Sequence, residues 1–172
     1  MIYRVQMETP IGVLTIESNE KAVTLILLPA EAGEHFEAAN GRRSGSGPVD
    51  EPGTTDLPDP LVKAMAQLEE YFAGRRQEFD IPLELEGTDF QCSVWRNLAN
   101  IPYGETVSYA ELAMMVGRPN AYRAVGQANG ANPLPIVLPC HRVLASGGGI
   151  GGYGGGLPMK RQLLALEGVE VA

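Results

Sequence analysis

The chain has 172 residues, of which 44% are hydrophobic and 20% are charged. This composition supplies enough apolar side chains for a buried core and excludes a disordered or fibrous protein. The sequence has no apolar run long enough to cross a bilayer, and its first residues lack the pattern of a secretory signal, so we expect no membrane association and a cytoplasmic location. A structural zinc site would need both cysteines and both histidines of the chain, and we expect no metal.

The net charge of −8 is unevenly distributed along the chain. Residues 1–86 contain 7 basic and 16 acidic side chains, whereas residues 87–172 contain 6 basic and 5 acidic ones. Between Leu112 and Leu166 there is no Asp or Glu, but there are 5 cationic side chains. A polyanion can therefore approach one face of the second half, although a solvated basic surface without a partner is the more frequent explanation of such charges.

The start of the chain predicts three β-strands. Residues 2–8, 12–18 and 22–28 are rich in Ile, Val, Thr and Leu, with turn-forming residues between them, which is typical of an antiparallel meander. Residues 38–60 are dense in Gly, Pro, Ser and Asp and predict a long mobile loop, to which we assign no chemistry.

A helix and a further strand are predicted after this loop. Asp59 and Pro60 are expected to supply an N-cap and a first-turn proline. The apolar face of the helix comprises Leu61, Met65, Leu68 and Phe72. Residues 78–85 predict another strand, which completes an N-terminal α/β domain of residues 1–86.

The second half, residues 87–172, predicts short helices. Thr88 with Gln91, and Ser108 with Glu111, have the spacing of capping boxes and mark two helix starts. A break at 117–120 and a third helix over 121–130 then give the spacing of a helix-turn-helix, which also occurs in ordinary helical hairpins. Small residues dominate the third helix, so it can approach a groove closely or pack against another helix.

Cys140 is the candidate nucleophile. It follows the apolar, strand-like run 136–138 and precedes His141 and Arg142. Cationic neighbours lower the pKa of a thiol and favour the nucleophilic thiolate, so we expect a lowered pKa for Cys140. The segment 147–156 contains 8 glycines, which indicates a backbone that approaches a ligand closely or moves.

The other cysteine and the other histidine have simpler explanations. Cys92 lies in an amphipathic helical segment and is interpreted as a buried apolar residue. His35 lies near acidic residues and is interpreted as a surface side chain.

The second half resembles the O6-alkylguanine-DNA alkyltransferases, also called methylated-DNA–protein-cysteine methyltransferases. The resemblance runs from Phe90 to Gly168. Its motifs, in the order and spacing of the family, are VW at 94–95, IPYGETVSY at 101–109, RAVGQANGANP at 123–133, PCHRV at 139–143, GGY at 151–153 and LLALEG at 163–168. The first half resembles the variable domain of the family only in outline and lacks the zinc ligands of some members, which implies the zinc-free type.

The resemblance implies catalytic roles for five residues. Cys140 is implied to be the alkyl acceptor, His141 the base that reaches it through a water, and Glu167 the carboxylate that orients His141. A buried Glu–His pair would stabilise the imidazolium that forms when the thiol loses its proton. Asn132 is implied to tie the turn before the cysteine, and Tyr109 to meet the flipped base and crowd the neighbouring phosphate.

The same resemblance implies the DNA contacts. Arg123 is expected to fill the gap that a flipped base leaves. Tyr109 and the small residues Ala124, Gly126 and Ala128 are expected to lie against the DNA.

A pocket for the base is also implied. The main-chain carbonyls of Cys140 and Val143 are expected to accept from the guanine amine, and the amide of Gly154 to donate to O6. Tyr153 is expected to line the alkyl pocket, with Lys160 nearby.

The implied fold has two domains: a ribonuclease-H-like small antiparallel sheet with a helix, and a mostly helical domain with a winged-helix-like helix-turn-helix. A monomer is implied to bind duplex DNA through the minor groove and to flip out O6-alkylguanine or O4-alkylthymine. The thiolate then displaces the base, and a thioether remains on Cys140. Because a thioether has no good leaving group and no cofactor is implied, each molecule is expected to act once.

Three alternatives stay open from the sequence. Relatives that bind alkylated bases without repairing them lack the acceptor cysteine, which is present here. A cysteine hydrolase using Cys140 and His141 would turn over many substrates, and a transcription regulator would need only the helix-turn-helix.

Overall fold

The structure is a computed structural model that describes residues 1–29 and 56–171. His35 and residues 38–55 of the predicted loop lie outside the described residues. The elements in chain order are β1 (Tyr3–Thr9), β2 (Gly12–Ser18), β3 (Val23–Leu27), α1 (Asp59–Phe72), α2 (Asp89–Leu98), β4 (Val107–Ser108), α3 (Tyr109–Val116), α4 (Tyr122–Gly130), a 3-10 turn (Cys140–Arg142), β5 (Val143–Leu144) and α5 (Leu157–Leu166).

The antiparallel meander expected at the start of the chain is confirmed. The strands lie in the order β1-β2-β3, and β1 pairs with β2 from Tyr3 opposite Ser18 to Thr9 opposite Gly12. Gly12 has a φ of 113°, and a Cβ at this position would lie 2.7 Å from the ring of Pro29. The turn between β1 and β2 therefore requires glycine.

Helix α1 packs on this sheet, but its start and its buried face differ from the prediction. Pro58, in an extended conformation, occupies the N-cap position, and Asp59 is already helical. The proline ring fixes φ near the value that the N-cap position needs, which explains the shift by one residue. The helix buries Leu61 and Leu68 as expected, and it also buries Tyr71 completely, whereas Phe72 is half-buried.

The predicted strand over residues 78–85 is wrong. Only one bridge forms there, between Val23 and Leu83. Pro82 has no N–H and cannot continue a ladder of hydrogen bonds. Further along the same edge of β3, the amide of Ile26 donates to the carbonyl of Pro133 at 2.9 Å. The edge of the sheet is thus partly covered by the second half of the chain.

The helices of the second half begin where the capping patterns predict. Thr88 and Gln91 form a reciprocal capping box at the start of α2, and the hydroxyl of Ser108 accepts from the amide of Glu111 at the start of α3. Gly117, with a φ of 81°, ends α3. The short helices α2, α3 and α4 pack on one another.

The apolar run before Cys140 is a turn and not a strand. Ile136 has a φ of 74°, a left-handed conformation that is rare for a β-branched residue. The surrounding hydrogen bonds hold this turn, and they belong to the site described below. Within residues 1–29 and 56–171, no helix is long and apolar enough to cross a membrane.

Candidate active site

A pocket of about 250 Å³ opens beside Cys140. Its walls come from the end of β3, the start of α3, the C-terminal part of α4, the turn before Cys140 and the glycine-rich segment. Six of the residues predicted for the site line it, namely Tyr109, Gly126, Asn132, Cys140, Tyr153 and Gly154. Five further residues that were not predicted for the site also line it, namely Leu28, Asn129, Gly130, Pro135 and Gly152.

The Cys140 thiol lies at the buried end of this pocket, with 6% of the residue exposed. Burial raises the pKa of the thiol, and the Asn132 amide and the Lys160 ammonium offset only part of this effect. The expectation of a lowered pKa is therefore wrong for the resting protein, because desolvation outweighs the nearby positive charge. Thiolate formation needs a base beside Cys140.

Asn132 shapes the turn that presents the cysteine. Its Nδ2 donates to the carbonyl of Leu138 at 2.7 Å, and its Oδ1 accepts from the amide of Leu134 at 2.9 Å. These two bonds bridge the turn around Ile136 and satisfy buried backbone groups. The predicted role of Asn132 in tying this turn agrees with its contacts.

Glu167 is the centre of a buried hydrogen-bond network. Its Oε2 lies 2.7 Å from Nε2 of His141 and 2.5 Å from the hydroxyl of Tyr71. Arg142 donates from Nε to Oε1 at 2.7 Å and from Nη2 to Oε2 at 3.1 Å. Burial alone would raise the pKa of Glu167, but the hydrogen bonds and the charges of these partners lower it to about 2. Glu167 is therefore a carboxylate at neutral pH.

The charge of Glu167 decides which nitrogen of His141 can accept a proton. An ionised carboxylate only accepts hydrogen bonds, so Nε2 of His141 must carry the hydrogen between them. Burial lowers the pKa of His141, and Glu167 opposes this effect. The neutral imidazole then has its lone pair on Nδ1, a buried atom without a hydrogen-bond partner in the described part of the chain. Nδ1 is available to take a proton.

Lys160 connects the glycine-rich segment to the strand after Cys140. The side chain is fully buried, and its Nζ donates to the carbonyls of Val143 at 2.7 Å and Gly152 at 3.0 Å. Burial lowers the pKa of Lys160 to about 8. The Tyr153 hydroxyl is also buried, and no partner for it lies among residues 1–29 and 56–171.

Four of the residues predicted to contact DNA lie on α4, and one of these four is buried. Arg123 and Ala124 are exposed, and Gly126 lies beside the ring of Tyr109, where a Cβ would be 3.6 Å from it. Ala128 is buried, and its carbonyl accepts from Nε1 of Trp95 at 2.8 Å. It lies on the inner face of the helix, because five helical residues turn it by about 140° away from the exposed Arg123, so its expected place against DNA is wrong.

Two residues of the network escaped the sequence reasoning. The sequence presents Arg142 only as a cationic neighbour of Cys140, whereas in the structure its guanidinium contacts both carboxylate oxygens of Glu167. Tyr71 lies in the other half of the chain, and the helical pattern of α1 gave it no special place. The described residues contain no cluster of His, Cys, Asp and Glu that could hold a metal ion.

Both halves of the chain match known protein families. Residues 1–85 match the family described as "6-O-methylguanine DNA methyltransferase, ribonuclease-like domain", and residues 89–169 match "6-O-methylguanine DNA methyltransferase, DNA binding domain". The chain belongs to the 6-O-methylguanine DNA methyltransferase family. This confirms the family and the enzyme class that the motifs of the second half indicated.

Individual members of this family are similar over nearly the whole chain. The methylated-DNA–protein-cysteine methyltransferase of Mycolicibacterium paratuberculosis is 45% identical, covering 94% of this chain and 89% of its own length. The constitutive methylated-DNA–protein-cysteine methyltransferase of Bacillus subtilis is 41% identical, and the match covers 99% of this chain and 98% of the relative's own length. Among solved structures, the crystal structure of Mycobacterium tuberculosis OGT in complex with DNA superposes with a TM-score of 0.77 at 42% sequence identity. The match covers 96% of this chain and 92% of that chain.

Proposed function

We propose that this protein repairs alkylated DNA by moving the alkyl group of O6-alkylguanine, and of O4-alkylthymine, onto Cys140. The observation that carries the proposal is the position of Cys140 at the buried end of a pocket, next to a histidine whose free nitrogen can act as a base. Family membership supplies the reaction class. The geometry described above supports the assignment of the individual residues.

The first step removes the proton of Cys140. Because burial raises the pKa of the thiol, the thiol keeps its proton until a base takes it. Nδ1 of His141 takes the proton through one water, and Glu167 stabilises the imidazolium that results. The Lys160 ammonium also favours the thiolate.

The second step is a displacement at a saturated carbon. The sulfur of Cys140 forms a bond to the alkyl carbon, and the bond between that carbon and O6 breaks. The electron pair goes to guanine, which takes up the proton released from the thiol, so the products are a thioether and an unmodified guanine. No group in the described pocket can displace the thioether, and each protein molecule acts once.

The alkylated base must leave the double helix to reach this pocket, because its O6 lies within the base stack. We propose that α3 and α4 act as the helix-turn-helix of a winged-helix-like domain, with α4 in the minor groove. Arg123 enters the space left by the base, and Ala124 and Gly126 allow close approach of the helix. Residues 87–172 form this DNA-binding domain and residues 1–86 the N-terminal domain of a protein that acts as a monomer.

Within the pocket, we propose that the carbonyls of Cys140 and Val143 and the amide of Gly154 read the edge of the guanine. Gly154 is exposed and lines the pocket, whereas Val143 is fully buried. Tyr153 faces the alkyl group, and Tyr109 contacts the base from the side of α3.

Intact-mass measurement tests this proposal. The protein is incubated with a duplex that contains one O6-methylguanine, and we expect a mass gain equal to one CH₂ group. Cys140→Ser should gain no mass, while Cys92→Ser, which changes the other buried free cysteine, should react like the unsubstituted protein. A mass gain in Cys140→Ser, or its loss in Cys92→Ser, would contradict the assignment of the acceptor.

A further inference from the structure

The phenol of Tyr71 reaches the centre of the active-site network from the other half of the chain. Tyr71 lies near the end of α1 and is fully buried. Its hydroxyl lies 2.5 Å from Oε2 of Glu167, the same oxygen that lies 2.7 Å from Nε2 of His141. One carboxylate oxygen therefore links the N-terminal helix to the base beside Cys140.

The direction of this hydrogen bond follows from the charges. Burial and the negative charge of Glu167 raise the pKa of Tyr71 above its ordinary value, so the phenol keeps its proton. Glu167 is ionised at neutral pH, as shown above, and can only accept. Tyr71 thus donates to the carboxylate, in competition with the hydrogen bond from His141.

A donor to Glu167 changes how strongly His141 holds a proton. Each hydrogen bond withdraws negative charge from the carboxylate, which lowers its attraction for the imidazolium. Arg142 acts in the same direction, but it also carries a buried charge that cannot be removed without a large loss of stability. Tyr71 is neutral, and the substitution Tyr71→Phe removes only its hydroxyl and keeps the ring.

We propose that Tyr71 is a positioning residue for the alkyl transfer, which fixes the orientation of Glu167 and sets how readily His141 takes the proton of Cys140. This inference rests on the proposed function. It makes the N-terminal half part of the reactive centre, in addition to its role in the fold.

Above the pKa of Glu167, which is about 2, His141 is the group of this network that titrates on the acid side of neutrality, because burial lowers its pKa from the ordinary value of an imidazole. The charged and titratable groups that face the His141–Glu167 pair are Tyr71 on α1, Tyr103 before β4, Cys140 and Arg142 on the 3-10 turn, Tyr153 in the glycine-rich segment, and Lys160 on α5. On the acid side of neutrality Arg142 and Lys160 are cationic, and the three phenols and the thiol are neutral. A pH-dependent change there reports on His141.

The chain offers a matched control for the removal of one phenol hydroxyl. Tyr103 lies beside Tyr71, with ring centroids 6.3 Å apart, but its hydroxyl donates to the carbonyl of Leu166 at 3.2 Å. Tyr71→Phe and Tyr103→Phe remove the same atoms from neighbouring rings. Only the first substitution removes a donor to the carboxylate.

The first test measures the pKa of His141 by NMR in the protein without DNA. The chain has two histidines, so His35→Gln assigns the signals. We expect Tyr71→Phe to raise the pKa of His141 by roughly half a unit. A hydrogen bond to a charged group is worth about one pKa unit or more to that group, here Glu167, and only part of this change is transmitted to His141. Tyr103→Phe should leave it unchanged. Equal pKa values in all three proteins would overturn the proposal.

A second substitution keeps the test valid if Tyr71→Phe does not fold. Site-specific 3-fluorotyrosine at position 71 preserves the hydroxyl and makes it a stronger donor. The stronger bond should lower the pKa of His141, the opposite direction to Tyr71→Phe. A change in the same direction, or none, would contradict the assigned coupling.

The second test measures the single-turnover rate of methyl transfer against pH. The acidic limb of the profile should move to higher pH in Tyr71→Phe by the shift measured for His141, and stay in place in Tyr103→Phe. A uniform rate loss at all pH values would show a merely structural role for Tyr71. If the unsubstituted protein transfers no methyl group, the proposed function fails, while the NMR titration still decides the coupling.

Discussion

Replacement of Glu167 by Gln should cost more stability than any exposed charge of the protein. The Glu167 side chain is fully buried and accepts from three residues. A Gln side chain has the same shape but only one acceptor oxygen, and its amide group would face a donor. It also leaves the guanidinium of Arg142, a residue with 5% exposure, without its counter-charge.

The expected magnitude follows from two separate considerations. Removal of one partner of a buried ion pair costs about 3–5 kcal/mol. The pKa of Glu167 lies near 2 in the folded protein instead of 4.5, and at about 1.4 kcal/mol per unit this corresponds to roughly 3 kcal/mol at neutral pH. The two values agree in order of magnitude, and for a chain of this length they predict a melting temperature lower by roughly 10 °C.

Chemical denaturation at several pH values measures this effect. Because the pKa of Glu167 is lowered on folding, its contribution is complete above about pH 4.5 and is lost as the pH falls towards 2. The difference between the unsubstituted protein and Glu167→Gln should therefore shrink over this interval. Glu70→Gln, which removes a half-exposed partner of Arg76, is the control and should cost under about 1 kcal/mol. Equal stability of the two variants at pH 7, or a pH-independent difference, would refute the reasoning.

Three further predictions concern DNA binding and the turn before Cys140. Arg123→Ala should slow repair of duplex DNA and spare the reaction with a free O6-alkylguanine. The control Arg75→Ala, at another exposed arginine, should change neither rate. Equal loss of rate on both substrates would show that Arg123 supports the pocket. Titrations at several salt concentrations should show that the affinity for duplex DNA decreases only weakly with salt, because few cations lie on the face formed by α3 and α4. The affinity should also depend little on base sequence, and a strongly preferred operator would favour a transcription regulator. Asn132→Ala should lower the free energy of unfolding by about 2–4 kcal/mol through the loss of two buried hydrogen bonds. In the same denaturation assay, Asn100→Ala, at an exposed asparagine, should change the free energy of unfolding very little. A small effect of Asn132→Ala would show that the turn forms without Asn132.

Local patterns predicted those parts of the fold that local physics controls. The strands of the meander and the capped starts of α2 and α3 depend on side-chain alternation and on hydrogen bonds within a few residues, and both are legible in the sequence. The segments 78–85 and 136–138 have the composition of strands, but prolines occupy or flank both. Their conformation depends on the backbone groups that tertiary contacts make available, and composition does not report these contacts.

The candidate site was predictable where it follows motifs and not where it depends on packing. Cys140, His141, Glu167 and Asn132 stand in motifs of the family, and the structure brings them together. Tyr71 joins Glu167 across 96 positions of sequence, and nothing in the pattern of α1 distinguishes it from other apolar positions. The pKa of Cys140 was misjudged for a related reason, because sequence neighbours reveal charges but not burial.

The stoichiometry of methyl transfer tests the central claim most directly. A fixed amount of protein is incubated with increasing excess of a duplex carrying isotope-labelled O6-methylguanine, and the label on each proteolytic peptide is counted. We predict a plateau at one methyl group per protein molecule, with all of it on the peptide that contains Cys140. A plateau well above one, or label on any other peptide, would contradict a single irreversible transfer to this cysteine.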